Sequence, residues 1–218
     1  METIQNKLFG KTFFFMFLGL LASGIIAYYT YASGFYLNIL FNGYWGILLI
    51  VELVAVLLFS LLFRKLPAVV VSILYFVYAI INGVTLASIF AIYQMSSIIY
   101  LFAISAIAFA VLGFIGYKTK KDLSSWGIYI TVFLIAGIII SLVNLFIIKS
   151  SMLDLVIDWL VLALFCGVTI YDINKIKLLQ SVPEINQEKI YIYCAMQLYL
   201  DFINIFLRIL SIFGKRRD

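Results

Sequence analysis

Residues 199–210 read Tyr-Leu-Asp-Phe-Ile-Asn-Ile-Phe-Leu-Arg-Ile-Leu, a stretch that sets a carboxylate, an amide and a guanidinium among apolar side chains. The surrounding apolar run, from about residue 190 to about 212, is long enough for a membrane-spanning helix. On a helix its polar side chains fall within an arc of roughly 80°. This polar stripe consists of Tyr193, Gln197, Asp201, Asn204, Arg208 and Ser211. We therefore expect the last helix to turn the stripe toward protein or water and to lie centrally in a bundle.

The composition excludes a soluble globular protein. The chain has 218 residues, of which 66% are hydrophobic and 11% are charged, whereas soluble domains carry roughly 25% charged residues. Its apolar runs are continuous and much longer than the strands of about 10 residues that build outer-membrane barrels. Backbone groups in lipid must be hydrogen-bonded within their own segment, which favours helices. These features predict an all-α polytopic membrane protein.

Seven apolar segments follow one another with short connections and no inserted soluble domain. They cover residues 12–32, 44–63, 67–92, 98–117, 126–148, 153–174 and 190–212. We predict seven transmembrane helices in a single transmembrane domain over residues 1–218, with the C-terminal helix central in the bundle. The first apolar run ends without a small-residue cleavage site, so we interpret it as a transmembrane helix rather than a signal peptide.

Lysine and arginine residues flank the segments unevenly, which predicts the orientation. Ten of the 15 lie on the side of the amino terminus, and four lie on the other side if all seven segments cross. We therefore expect a cytoplasmic amino terminus. The basic tail at residues 215–217 leaves an alternative open, because a re-entrant seventh segment would return this tail to the cytoplasmic side.

Two aspartates on neighbouring segments form the main candidate site. An ionisable side chain at membrane depth is costly and by default suggests an ion or proton pathway. The sixth and seventh helices are expected to be antiparallel neighbours, so Asp172 is placed to face Asp201. Two carboxylates in a poorly solvated site cannot both ionise cheaply, and we expect them to share a proton. When ionised they are oxygen ligands suited to Ca²⁺, so a cation and a proton would compete there. Alternatively, the polar stripe only joins helices by hydrogen bonds.

The other intramembrane charges have more than one interpretation. Glu52, near the middle of the second segment, is either hydrogen-bonded only or part of an ion pathway. Asp158 is interpreted as an interfacial residue, and Arg64 as a basic residue that snorkels to the cytoplasmic interface.

Enzymatic functions find little support. The chain has no histidine, no Gly-x-Ser-x-Gly motif and no phosphate-binding glycine-rich loop. Tyr171 precedes Asp172 as in presenilin-like proteases, but Asp201 lacks the matching context, which disfavours an intramembrane protease. The two cysteines have no metal-ligand spacing. We expect a protein that is not an enzyme and has no cofactor.

Three stretches resemble the Bax inhibitor (transmembrane Bax inhibitor motif) family. Residues 110–124 read Ala-Val-Leu-Gly-Phe-Ile-Gly-Tyr-Lys-Thr-Lys-Lys-Asp-Leu-Ser, and residues 171–177 read Tyr-Asp-Ile-Asn-Lys-Ile-Lys. Residues 195–210 read Ala-Met-Gln-Leu-Tyr-Leu-Asp-Phe-Ile-Asn-Ile-Phe-Leu-Arg-Ile-Leu. The chain is most similar to the small bacterial calcium-leak members. The resemblance implies a seven-helix fold in which six helices surround the last, and a pH-sensitive calcium leak.

The resemblance also implies roles for individual residues. A di-aspartyl pair between helices six and seven, acting as pH sensor and gate, falls on Asp172 and Asp201. A basic latch at the cytoplasmic end of helix two falls on Arg64, with Lys65 as its substitute, and Glu52 matches an acidic position of the family. The ion pathway predicted from these assignments and from the polar stripe contains Glu52, Gln197, Asn204 and Arg208.

The favoured function is therefore a pH-sensitive calcium leak channel, multi-pass in a bacterial plasma (inner) membrane. The alternative is a non-conducting membrane regulator that binds a membrane protease or a stress or death-pathway partner. The expected partners are the lipid bilayer, calcium ions and protons, with no nucleic acid, and a monomer is compatible with the sequence. Calcium is expected as the transported ion rather than as a cofactor.

Overall fold

The computed structural model describes residues 2–179 and 187–217, apart from the side chains of residues 2–6, 145, 178 and 179. This part of the chain forms eight α-helices and one π-helical turn. They are α1 (Glu2–Ala32), α2 (Phe35–Phe41), α3 (Trp45–Leu62), α4 (Ala68–Ile92), α5 (Met95–Lys118), α6 (Trp126–Val143), the π-helical turn (Asn144–Ile148), α7 (Ser151–Leu179) and α8 (Gln187–Phe213).

Seven of these helices are long and apolar enough to cross a membrane, which confirms the predicted all-α polytopic fold. The additional helix, α2, was not expected, and its seven residues lie between two glycines in the left-handed region of backbone space. Gly34 has φ 73° and Gly43 has φ 70°, a conformation that glycine adopts without steric cost. These two residues separate a short helix from its long neighbours.

A buried asparagine lies at the boundary between the fifth and sixth predicted segments. Asn144, which is fully buried, ends α6 and begins the π-helical turn. Its side-chain amide donates to the Ser150 carbonyl at 3.0 Å and to the Asp154 carboxylate at 2.5 Å, and its oxygen accepts from the Ser150 backbone N–H at 3.1 Å. Asn144 thus ties the end of one spanning helix to the start of the next.

The chain divides into two compact units. The first contains α1–α4, the first half of α8 up to Tyr199, and the tail residues 216 and 217. The second contains α5 from Ser96 onward, α6, α7, the second half of α8 from Leu200, and the residues up to Lys215. The candidate aspartates both belong to the second unit.

In the first unit, α1 and α4 pack closely. Gly83 of α4 lies so near α1 that an added Cβ would stand 2.7 Å from the Ser23 carbonyl oxygen. Tyr75, which has no exposed surface, donates its hydroxyl to the Phe15 carbonyl at 2.9 Å. Small residues, and a tyrosine whose hydroxyl is hydrogen-bonded, therefore allow these two backbones to approach, as is common between membrane helices.

In the second unit, α5 and α7 approach in the same way. An added Cβ at Gly116 would stand 2.7 Å from the Ile170 carbonyl oxygen. Beyond α5, the Asn174 amide of α7 donates to the Thr119 and Lys121 carbonyls at 3.1 and 3.2 Å. These bonds hold the connection that follows α5 against α7, two residues from Asp172.

Helix α8 is the most buried of the seven spanning helices. In its most apolar stretch 78% of residues are buried, compared with 6% in α3 and in α6. Residues around most of its circumference are inaccessible, among them Ala195, Leu198 and Ile205, whereas the face that carries Gln197 and Asn204 is half-buried. The prediction that the C-terminal helix is central is confirmed, since each half of α8 is enclosed within its own unit.

Contacts within the first unit locate the start of α8 and the tail that follows it. At the beginning of α8 the Lys11 ammonium of α1 lies 5.0 Å from the centroid of the Tyr191 ring. After α8 ends, the Arg217 backbone N–H donates to the Ile92 carbonyl at the end of α4, at 2.9 Å. The Arg217 guanidinium also lies 5.3 Å from the centroid of the Tyr31 ring, near the end of α1. The start of α8 and the tail that follows it thus contact opposite ends of α1, which favours a crossing last segment over the re-entrant alternative.

Candidate functional site

The structure brings the two predicted aspartates together in the second unit. Asp172 of α7 is 9% exposed and Asp201 of α8 is 3% exposed. The Asp172 carboxylate is close enough to Asp201 to act on its charge. The expectation that Asp201 finds its neighbour on the preceding helix is met. Lys175, one turn along α7, is a cation within electrostatic reach of Asp172.

A threonine that the sequence did not reveal as a site residue lies beside the two aspartates. Thr169 lies three residues before Asp172 and therefore on the same face of α7. Its hydroxyl donates to the Phe165 carbonyl at 2.8 Å and lies within hydrogen-bonding reach of Asp201. A hydroxyl has one proton to donate, so Thr169 can donate either to the Phe165 carbonyl or to the Asp201 carboxylate. The three-residue spacing was the signal that could have identified it.

One Asp201 oxygen lacks a hydrogen bond. Among the residues that the structure describes, Oδ2 of Asp201 is buried and has no hydrogen-bonding partner. Buried polar atoms are almost always satisfied. An unmet carboxylate oxygen beside a second carboxylate marks a place whose charge can be balanced by a proton or by a cation.

The pair does not resemble a high-affinity metal site. Within the described ranges there is no group of three or more His, Cys, Asp or Glu residues that could hold a metal ion. Calcium takes about 6–8 oxygen ligands, far more than two aspartates and one threonine supply.

The predicted pathway residue Arg208 has a partner that was not foreseen. Its guanidinium binds Oδ1 of Asp158 at 2.5 Å, and the Ser211 hydroxyl donates to Oδ2 of Asp158 at 2.5 Å. Asp158 is 6% exposed, so protein encloses its carboxylate, while its interfacial depth stays a prediction. The antiparallel order of α7 and α8 could have suggested this contact. Asp158 lies four turns before Asp172 on α7, and Ser211 lies about three turns after Asp201 on α8.

Glu52 lies in the first unit and is hydrogen-bonded. The Asn82 amide donates to Oε2 of Glu52 at 3.3 Å, and the Thr85 hydroxyl donates to Oε1 at 2.5 Å. The chain of bonds continues, because the Tyr199 hydroxyl donates to the Asn82 oxygen at 2.7 Å and lies 2.6 Å from the Ser23 hydroxyl. These contacts agree with the hydrogen-bonded interpretation of Glu52, while its pathway role stays a prediction.

The remaining predicted residues have simpler surroundings. Arg64 and Lys65 follow α3 in the first unit and are exposed, and the Arg64 guanidinium lies 5.8 Å from the centroid of the Phe63 ring. Gln197 and Asn204 are half-buried. The Asn204 amide donates to the Leu200 carbonyl of its own helix at 2.8 Å. The latch and pathway roles of these four residues stay predictions.

Comparison with known proteins gives the family. The family described as "Inhibitor of apoptosis-promoting Bax1" matches residues 5–218 of the chain. The chain belongs to the Bax inhibitor family. The inner membrane protein YbhL of Escherichia coli K12 is 35% identical over 223 residues, covering 100% of this chain and 93% of YbhL. An uncharacterized protein of Borreliella burgdorferi is 36% identical over 221 residues, covering 99% of this chain and 94% of that protein.

A further relative of this Bax inhibitor family member is an uncharacterized membrane protein of Streptococcus pyogenes. It is 32% identical over 217 residues, which cover 96% of this chain and 93% of the relative. The resemblance seen in the three sequence stretches is confirmed over essentially the whole length. Membrane relatives and seven spanning helices agree that the protein is a multi-pass membrane protein.

Proposed function

We propose that this protein is a pH-sensitive calcium leak of the bacterial inner membrane, with a cytoplasmic amino terminus. The observation that carries the proposal is the pair of buried carboxylates, Asp172 and Asp201, with one Asp201 oxygen unpartnered in the described chain. In this proposal the protein is not an enzyme, and calcium is transported rather than resident.

The physical basis of gating is the charge of the pair. With one proton shared between Asp172 and Asp201, the pair carries a single negative charge. With that proton removed, two like charges face each other in a poorly solvated site, an arrangement that a divalent cation stabilises strongly. Loss of the proton therefore favours calcium at the site, and gain of the proton displaces it.

A basic latch would act in the opposite sense. If Arg64 or Lys65 holds the ionised pair in a closed conformation, protonation releases the latch and flux rises on acidification. If proton and calcium only compete, flux falls on acidification. The direction of the pH dependence, measured in the wild type and in Arg64→Gln, separates these two versions of the proposal.

The central test measures calcium entry into proteoliposomes across a range of pH, using an enclosed fluorescent indicator. We expect the wild type to conduct with a marked pH dependence, and Asp172→Asn and Asp201→Asn to conduct with little or none. If both variants keep the wild-type pH profile, the aspartate pair is not the sensor.

Asp122→Asn is the matched control for a lost aspartate charge. Asp122 lies outside the spanning helices, where bonds from the Ser124 hydroxyl at 2.5 Å and backbone N–H at 2.8 Å hold the pKa of its carboxyl below the ordinary value. Because this carboxylate stays ionised throughout the neutral range, its removal should leave the pH profile unchanged.

The second candidate function is a non-conducting membrane regulator that binds a membrane protease or a stress or death-pathway partner. The description of the matching family as an inhibitor of an apoptosis-promoting protein favours it. Purified protein that shows no flux at any pH, yet retains a stable partner in pull-down experiments, would replace the leak proposal with this one.

A further inference from the structure

A groove in the second unit carries a basic residue at one end. It has a volume of about 750 Å³ and lies between α5, α7 and α8. This size is within the roughly 300–1,000 Å³ of typical small-molecule sites. Its walls combine apolar side chains with two serines and one lysine, so its two ends differ in chemistry.

The body of the groove is apolar and belongs to spanning helices. Ile104 of α5 and Leu162 of α7 line it, and Trp159 packs edge-on against Phe213 of α8 with ring centroids 5.7 Å apart. Tyr100 adds a ring that is 66% exposed. In a membrane these surfaces face lipid, and Trp and Tyr are enriched where acyl chains meet headgroups. The groove is suited to a hydrocarbon chain.

The other end is polar and positively charged. Ser96 and Ser97 stand in the first turn of α5, and Lys215 follows the end of α8. The Lys215 backbone N–H donates to the Ser97 hydroxyl oxygen at 3.0 Å, which fixes the lysine backbone there and leaves the Ser97 proton free to donate elsewhere. In the described chain no carboxylate forms an ion pair with the exposed Lys215.

A second groove shows what the lysine adds. It has a volume of about 690 Å³, lies between α6 and α7, and is lined by residues such as Trp126, Phe133, Leu164 and Tyr171. No charged residue lines it. Both grooves can accept a hydrocarbon chain, but only the Lys215 groove pairs that apolar body with a cation and hydroxyl donors.

We propose that the Lys215 groove binds an anionic phospholipid. One acyl chain lies along Ile104 and Leu162, and the phosphate is held by the Lys215 ammonium and the Ser97 hydroxyl. A basic residue at a membrane surface attracts anionic headgroups electrostatically. The apolar body commits the site to a lipid rather than to a free phosphate. This inference does not depend on calcium conduction.

Native mass spectrometry of the detergent-purified protein tests the proposal. The protein is titrated with phosphatidylglycerol and, separately, with phosphatidylcholine. We expect wild type to retain phosphatidylglycerol in preference, and Lys215→Gln to lower that preference about fivefold, the contribution of one basic residue near an anionic headgroup. Lys149→Gln is the matched control, since Lys149 is also exposed in the second unit but does not line the groove.

A second variant tests the apolar half of the site. Ile104→Trp fills the groove and should reduce retention of both lipids while leaving Lys215 in place. Equal retention of the two lipids by wild type, or equal losses in Lys215→Gln and Lys149→Gln, would overturn the proposal. Displacement of the bound lipid by soluble glycerol phosphate would also overturn it, because the apolar groove would then contribute nothing.

Discussion

Two aspartates of α7 sit against α8, and their partners differ. Asp158 has an oxygen on Arg208 and an oxygen on Ser211, so its charge and both acceptors are satisfied. Asp172 faces Asp201, a group of the same charge, whose Oδ2 has no partner in the described chain. The same pair of helices thus holds one carboxylate compensated by an ion pair and one carboxylate pair that, in the described chain, has only the Lys175 cation nearby and no ion pair. A compensated charge stabilises a structure, whereas an uncompensated pair responds to protons and cations.

The largest loss of folding stability is expected from breaking the Asp158–Arg208 ion pair. Asp158→Ala leaves Arg208 charged without its partner, and loss of one partner of a buried ion pair costs about 3–5 kcal/mol. Because the Arg208 side chain is 32% exposed, we expect about 2–3 kcal/mol here. The measurement is the free energy of unfolding in detergent micelles, with Asp122→Ala as the exposed-aspartate control.

A double replacement makes this prediction sharper. Asp158→Leu combined with Arg208→Met removes both charges, and apolar replacement of a whole buried pair is often neutral or stabilising. The double variant should regain most of the stability lost in Asp158→Ala. If it is as unstable as the single variant, packing rather than charge compensation explains the role of Asp158.

An intermediate effect is expected in the first unit, where Glu52 is hydrogen-bonded. Tyr199→Phe removes the hydroxyl that donates to Asn82 and leaves the Asn82 oxygen unsatisfied, which costs about 1–3 kcal/mol. Thermal unfolding in detergent measures the loss. Tyr129→Phe is the control, because Tyr129 is 65% exposed. Equal stability of the two variants would show that the bonds from Ser23 through Tyr199 to Asn82 and Glu52 do not stabilise the fold.

The smallest effect on stability is expected at the uncompensated pair. Asp201→Asn keeps the size of the side chain and removes a like charge beside Asp172, so the free energy of unfolding should change by less than about 1 kcal/mol. The unfolding assay used for Asp158→Ala measures it. A loss as large as that of Asp158→Ala would show that Asp201 is a structural residue and that the comparison between the two aspartates fails.

The candidate site could be predicted to the extent that helix geometry dictates it. The polar stripe predicted that Asp201 faces protein or water rather than lipid, and the antiparallel order of the last two helices brought Asp172 to it. The same register could have placed Asp158 beside Ser211. It did not, because a single residue near a predicted helix end resembles an interfacial one until its burial is known.

Other partners could not be predicted because they come from segments distant in the chain. Glu52 is bonded by Asn82 and Thr85 of α4, and through Asn82 by Tyr199, about 150 residues away. Nothing local to Glu52 specifies these donors. Helix α2 was missed for another reason. It is separated from α1 and α3 by two glycines with positive φ, and a hydropathy pattern does not distinguish such a short helix from a connection.

The sequence by itself determined the class of the protein, the seven spanning helices, the family and the central place of α8. The class, the spanning helices and the place of α8 follow from hydropathy, because the length of an apolar run and the face of a polar stripe are local properties. The family follows instead from the resemblance of three sequence stretches. Only the tertiary structure decided which charges are compensated, that the tail after α8 contacts the end of α1, and where a basic groove forms. Those depend on contacts between helices far apart in the chain, which no local pattern encodes.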